Sequence, residues 1–312
     1  MARKKELIPW FVSVLIPTFE RPELLEKTLE SALNQTYTNY EVIVADSSRD
    51  EDTQVLMHKF RGSDKLIYVR NREARNKAEN FRVFEELARG EFLQWLMDDD
   101  IILPNKLQYM IRCFKQEKKV RIVTSRRGLI DEKGTMLGQM GAELVIDGLY
   151  GVYKGREIGN VILEDFKNPI GEVSAVLFRW RDLRNHYFNA ESRGYRAIAD
   201  VAMWLELLEG GGECAVFRDP LSLYRRHNGQ ESMQPDYILL SRIEWFMLGT
   251  DYYLRRIFLT QWKEYANLLY ALLAEYERDI QPRIRVFNRQ PHFEAYTVAI
   301  NEMKDILKSH GG

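Results

Sequence analysis

Glu91-Phe-Leu-Gln-Trp-Leu-Met97, then Asp98-Asp99-Asp100, then Ile101-Ile-Leu-Pro104 is the stretch on which the reading of this chain turns. An apolar, strand-like run delivers three adjacent carboxylates to the end of a buried strand. They repel one another there unless positive charge sits between them. A hard divalent cation bridging carboxylate and diphosphate meets that need. A solvated acidic turn is the plainer alternative.

The flanking sequence alternates between two periodicities. Val12-Ser-Val-Leu-Ile16 is a short β-branched run stopped by Pro17, and reads as a buried strand. Pro22 starts a helix in which Leu24, Leu25, Thr28, Leu29, Ala32 and Leu33 share a face. Glu41-Val-Ile-Val-Ala45 predicts a second strand ending at Asp46, Gln54 to Phe60 a helix, and Leu66 to Val69 a third strand. Another helix follows from about Glu79, with Gly90 as its expected C-terminal cap. The acidic strand comes next, and then a helix from Pro104 to about Lys118. This order predicts an α/β fold with a mostly parallel, Rossmann-like sheet flanked by helices. Ligands of such sheets sit at the carboxyl ends of strands, where Asp46 and Asp98 to Asp100 all fall.

Beyond Val120 the pattern loosens. Arg121 to Thr124 and Ala175 to Phe178 read as strands, and Gly128 to Gly171 as glycine-rich and irregular. Asp200 opens a helix through Val201, Trp204, Leu205 and Leu208 that stops at Gly210. After Pro235 three helical stretches follow: Tyr237 to Phe258, Gln261 to Glu277, and His292 to Lys308. The expected division is therefore a domain over 1–235, whose pattern changes at about 118–119. A helical extension over 236–312 completes it.

Composition narrows the class. At 45% hydrophobic over 312 residues, the chain can bury a substantial core. Its 45 Lys and Arg against 46 Asp and Glu argue against a protein held to nucleic acid by a general basic field. No run reads as a signal peptide or a spanning helix, and Cys113 and Cys214 read as reduced core thiols. The expectation is a cytoplasmic protein. Trp10-Phe11 and the tail aromatics Trp245, Phe246, Tyr252, Tyr253, Phe258 and Trp262 serve core packing, with peripheral contact at the cytoplasmic face of a membrane or self-association as alternatives.

Several separate motifs, in order over about residues 11 to 232, carry a family resemblance. They are Val12-Ser-Val-Leu-Ile-Pro-Thr-Phe-Glu-Arg-Pro22, Gln35-Thr-Tyr-Thr-Asn-Tyr-Glu-Val-Ile-Val-Ala-Asp-Ser-Ser48, and the acidic block with its preceding Ala88-Arg-Gly. Ala199-Asp-Val-Ala-Met-Trp204 and Pro220-Leu-Ser-Leu-Tyr-Arg-Arg-His227 complete the set. The chain resembles the family 2 glycosyltransferases of the GT-A fold. That resemblance implies an inverting, metal-dependent transfer of a sugar from a UDP- or dTDP-linked donor to a hydroxyl of a saccharide or glycoconjugate acceptor, as in polysaccharide synthesis. It also implies a nucleotide-binding half over about 1–118 and an acceptor-side half over about 119–235.

The resemblance also assigns residues. Pro17, Thr18, Phe19 and Glu20 form the nucleoside loop, Glu20 departing from the asparagine often found there. Asp46 accepts a base N–H, unless it closes an Asx-turn with Ser47 and Ser48. Aligned on Pro104, Met97 falls at the first position of the Asp-X-Asp motif, Asp98 at the ribose position and Asp99 at the metal position. Asp100 then supports the metal through water. Oxygen ligands with diphosphate suit Mn²⁺ or Mg²⁺. From the residues themselves, Arg75 and Arg226, with Arg72 and Arg225 as alternatives, face the nucleotide or diphosphate or are solvated, and His227 completes the metal site or is likewise solvated. Asp200 is the expected general base, kept ionised by the helix dipole, its alternative being an ordinary N-cap. Glu172 and Asn168 are candidates for the sugar pockets. A non-catalytic GT-A module that binds a glycan or scaffolds a larger transferase is the rival reading. A nucleotidylyltransferase fits poorly, because Thr18-Phe19-Glu20-Arg21 is no glycine-rich phosphate loop.

Overall fold

The computed structural model describes residues 6–310 apart from 75, 142, 143, 145, 147, 184–193, 228, 229, 231 and 232. Its first elements are β1 (Ile8–Thr18), α1 (Pro22–Leu33), β2 (Tyr40–Asp46), α2 (Asp52–Met57), β3 (Leu66–Arg70), α3 (Lys77–Leu87) and β4 (Gly90–Trp95). Then come β5 (Ile101–Ile102), α4 (Lys106–Gln116), β6 (Val120–Ile130), β7 (Met136–Met140), β8 (Tyr150–Lys154), α5 (Gly155–Glu164) and β9 (Leu177–Arg179). The remainder is α6 (Ala199–Leu208), β10 (Glu213–Arg225), α7 (Pro235–Leu254), α8 (Trp262–Glu275), α9 (Ile284–Phe287) and α10 (Phe293–His310).

One sheet runs in the order β3-β2-β1-β4-β9-β6-β10-β5, with β7 on β6 and β8 on β10. Pairing is parallel from β3 through β4 and again between β6 and β10, and antiparallel at β9, β5 and β7. The fold is α/β, of the expected GT-A kind. Its core packs Val12, Val14 and Ile16 of β1 and Val42 and Val44 of β2 with Leu25 and Leu29 of α1 and Met110 and Phe114 of α4. Parallel register aligns the strand ends that matter: Thr18 lies opposite Asp46, and Asp46 opposite Arg70.

The described residues fall into two compact units, one within 1–153, 169–188 and 212–226, the other within 154–168, 189–211 and 227–312. In the second, every residue of α6 from Val201 to Leu208 is buried, and so are Trp245, Phe246, Tyr252 and Phe258. No helix among the described residues is long and apolar enough to cross a membrane.

Strands β7 and β8 lie inside the stretch that reads as irregular, and three further differences have identifiable causes. Gly90 does not cap α3, which ends at Leu87, but begins β4; a Cβ there would lie 2.6 Å from the Ser13 backbone nitrogen. Helix α5 lies inside the stretch that reads as irregular. Gly159 reads as a breaker, yet a Cβ at that position would stand 2.5 Å from the Phe258 ring. Strand β10 is disguised by Pro220, which falls where the register with β6 shifts between Phe217 and Ser222. At such an irregularity the missing proline N–H breaks no ladder bond.

Candidate active site

The acidic block occupies the turn from β4 to β5, and its three carboxylates have three different environments. Asp98 is 5% exposed; Thr18 Oγ1 donates to its Oδ2 at 2.8 Å. Burial, and then the neighbouring Asp99 charge, push the Asp98 carboxyl up to about 6 against the opposing pull of Arg21 and Thr18. Asp99 is less enclosed, with Arg21 Nη1 at 3.3 Å from its Oδ2 and 3.6 Å from Asp98 Oδ1. A cation therefore already stands beside this pair, on an arginine side chain that is 41% exposed.

Asp100, expected beside the metal, is placed elsewhere. It is buried, and its Oδ1 accepts the Arg225 N–H at 3.0 Å. Burial and Asp99 hold its carboxyl well above the usual range, opposed by hydrogen bonds from Ser174 and Arg225. Behind it, Lys106 is wholly buried with Nζ donating to Ala175 O at 2.7 Å, and desolvation depresses its ammonium. Arg225 is the brace of the turn. At 1% exposure, its Nε donates to Asp99 O at 2.8 Å, and its Nη1 to Asp131 O at 2.8 Å and Glu132 O at 3.1 Å. The pairing of Leu223 with Ile101 carries Arg225 to this position. Thr28 Oγ1 on α1 adds a bond to Asp100 O at 2.8 Å.

In front of the strand ends lies a cavity of about 700 Å³, lined by Pro17, Thr18, Phe19, Arg21, Ser47, Ser48, Arg49, Glu51, Arg72, Ala74, Asn76, Asn80, Phe81, Met97 and Asp98. The Phe19 ring is exposed, with the Arg49 guanidinium 5.9 Å from its centroid. Glu20 is not a lining residue. Its backbone is left-handed at φ 54°, and its N–H donates to Ser48 Oγ at 2.8 Å. Asparagine tolerates that conformation better than glutamate, which gives the departure from the family spelling a physical meaning.

Asp46 adopts the Asx-turn geometry. It is fully buried, its Oδ1 accepting from Ser48 N at 2.8 Å and its Oδ2 from Tyr68 OH at 2.7 Å. Its successors Ser47 and Ser48, rather than Asp46 itself, line the cavity. Arg75 lies outside the described residues. Arg72 lines the cavity and pairs with Glu51. Arg226 is exposed, its N–H bonded to Ile130 O at 2.9 Å, and its neighbour Arg225 makes the contacts with the acidic turn. Glu172 pairs with Arg127 at 3.0 Å.

Asp200 and His227 belong to the second unit. Asp200 sits in the first turn of α6 and does not cap it, since Ile198 holds that position. Its Oδ2 accepts from Asn168 Nδ2 at 2.9 Å and its Oδ1 from Val201 N at 2.8 Å. Arg49 and Asn80 were not singled out from sequence; adjacency to a strand end was the available signal for Arg49. Arg21 belongs to the Thr18 to Arg21 loop already expected beside the nucleoside.

Among the described residues, no group of three or more His, Cys, Asp or Glu side chains is placed to hold a metal ion alone. A partly accessible oxygen donor at Asp99 beside Asp98 does fit a hard divalent ion whose remaining ligands come from a diphosphate and water.

Residues 13–183, more than half of the chain, match the family described as glycosyl transferase family 2. The chain belongs to that family. An uncharacterized glycosyltransferase of Methanocaldococcus jannaschii is 29% identical over 261 residues, covering 81% of this chain and 79% of that protein. The GalNAc(5)-diNAcBac-PP-undecaprenol beta-1,3-glucosyltransferase of Campylobacter jejuni is 29% identical over 201 residues, 62% of this chain and 60% of its own. Against several Rickettsia glycosyltransferases, also uncharacterized, the match spans only 21% to 42% of the relative's length. An S. aureus TarS fragment in complex with UDP-GlcNAc superposes with a TM-score of 0.55 at 12% identity, covering 94% of this chain and 88% of that one. The mannosyltransferase PcManGT of Pyrobaculum calidifontis, in complex with GDP-Man and Mn²⁺, gives 0.51 at 16% identity, over 94% and 84%. At these identities the two structures speak for the fold alone.

Proposed function

We propose that this protein is an inverting, metal-dependent glycosyltransferase that moves a sugar from a nucleotide-diphosphate donor, UDP- or dTDP-linked, to a hydroxyl of a saccharide or glycoconjugate. The observation that carries the reading is the cavity at the strand ends, with the Phe19 ring, Arg21 and Asp98 all on its wall. An aromatic face, a cation and a carboxylate suit a nucleoside, a diphosphate and a ribose or cation in turn. The UDP-GlcNAc and the GDP-Man with Mn²⁺ named for the two similar structures, and the glucosyltransferase named among the relatives, support the same class.

In this reading Phe19 stacks on the base, and Arg21 swings from the Asp98 and Asp99 pair onto the diphosphate when the donor arrives. Asp99, with Asp98 beside it, would hold Mn²⁺ or Mg²⁺, which would supply positive charge against the departing diphosphate. Asp46 reaches the base only by exchanging its Tyr68 bond, so Ser47 and Ser48 take the nearer role. Asp200 accepts the proton of the acceptor hydroxyl. That oxygen bonds to the anomeric carbon as the carbon–oxygen bond to the diphosphate breaks on the opposite face.

A thermal-shift screen of nucleoside diphosphates with and without Mn²⁺ tests this. A ligand selective for the folded state raises the melting temperature, by about 2.7 kcal/mol of stability at a hundredfold excess over Kd. UDP or dTDP with Mn²⁺ is expected to give the largest shift. No shift with any nucleotide would overturn the proposal in favour of a non-catalytic module.

A further inference from the structure

Helix α7 buries a carboxylate at its middle. Glu244 is 1% exposed, and a buried anion is costly unless its oxygens are saturated. Three consecutive backbone amides of the second unit saturate it: Arg196 N donates to Oε1 at 2.7 Å, and Ala197 N and Ile198 N to Oε2 at 2.8 and 2.9 Å. Burial pushes this carboxyl up, and the three amides pull against that. Successive N–H groups converging on one anion form a fixed cradle. The same helix offers a second hold, for Tyr237 OH donates to Ala197 O at 3.3 Å.

The residues so gripped lead straight into α6, capped by Ile198, and Asp200 follows two positions later. Grip on 196–198 sets where the Asp200 backbone stands, and Asn168 sets where one of its oxygens stands. An apolar side chain would fill the space at 244 equally well. Only an anion satisfies three converging donors, so the choice of glutamate is about geometry rather than volume.

We propose that Glu244 is a positioning residue for Asp200: the C-terminal helix α7 fixes the Arg196 to Ile198 strap and, through it, the carboxylate that takes the acceptor proton. This rests on the reading of Asp200 as general base. It makes the extension part of the catalytic apparatus.

The test uses the full-length chain with Glu244→Gln, whose amide group turns a donor toward the strap amides. The expected result is a fall in kcat of about 10- to 100-fold with donor KM unchanged, because small misplacement of a reacting group costs that much. Faster hydrogen exchange at the amides of 196–198, and partial recovery of kcat in Glu244→Asp, should accompany it. On an Asp200→Asn background, Glu244→Gln should cost nothing more; an undiminished further loss would overturn the inference. Wild-type kcat in Glu244→Gln beside an inactive Asp200→Asn would sink the positioning role and leave the base reading intact. Wild-type turnover by Asp200→Asn would remove the base reading itself, and this inference with it. Should Glu244→Gln fail to fold, Tyr237→Phe carries the same test, with a several-fold fall in kcat expected and an unchanged kcat overturning it.

Discussion

The acidic turn of the first unit and the Asp200 strap of the second solve one problem, holding a carboxylate still, by opposite means. At the turn, carboxylates are fixed through the sheet. Strand register brings Arg225 against Asp99 and Asp100, and a strand-end threonine against Asp98. At the strap, main-chain amides are fixed by one side chain reaching in from a helix 46 to 48 residues downstream. The lesson is that sheet-borne sites follow from alternation and register, whereas a strap held by a remote anion depends on a contact that no local pattern announces.

The sharpest way to break this comparison is a pair of substitutions. Asp200→Asn is expected to lower transfer by about 10²- to 10⁴-fold while leaving nucleotide-induced stabilisation intact. Asp99→Asn should lose transfer and also the extra stabilisation that Mn²⁺ gives with a nucleotide. Turnover assays beside thermal shifts separate the two, and matching behaviour in both would erase the division of labour.

A smaller effect is expected from Arg225→Met. It strands the carbonyls of Asp99, Asp131 and Glu132 without their donor, at a cost of about 2 to 4 kcal/mol in stability. Chemical denaturation of the ligand-free protein measures it. The neighbouring Arg226→Met, on an exposed side chain, should shift the midpoint by less than about 0.5 kcal/mol.

The gentlest probe is pH. The Asp98 carboxyl is raised from 3.8 to about 6 in the folded protein, so folding favours its protonated form. Its stabilising contribution is full below pH 4 and fades as pH rises through about 6, a swing on the order of 3 kcal/mol from this group. Without divalent cation, Asp98→Asn should flatten the decline in melting temperature between about pH 4 and 7. An identical slope in the variant would assign the decline to other groups.

Much of the first unit was legible because its strands and helices keep clean periods from Val12 to Gln116, and the acidic turn falls where an α/β sheet binds ligands. What stayed hidden had physical causes. Pro220 concealed β10, and with β10 unseen nothing could place Arg225, rather than Arg226, opposite Asp99. Glycines at 155 and 159 concealed α5, though the second is demanded by the Phe258 ring. Asp46 was read correctly as a strand end; its choice between a base N–H and its own Asx-turn depended on Tyr68, one strand away. Glu244 looked like any polar residue on a tail helix.

The bracing by Arg225 has a kinetic corollary. A turn tied by Thr18, by Thr28 and twice by Arg225 is assembled before any donor arrives. Capture then resembles docking onto a finished surface, with its speed governed by diffusion and the attraction of exposed guanidinium groups for a polyanion rather than by a slow folding of the rim.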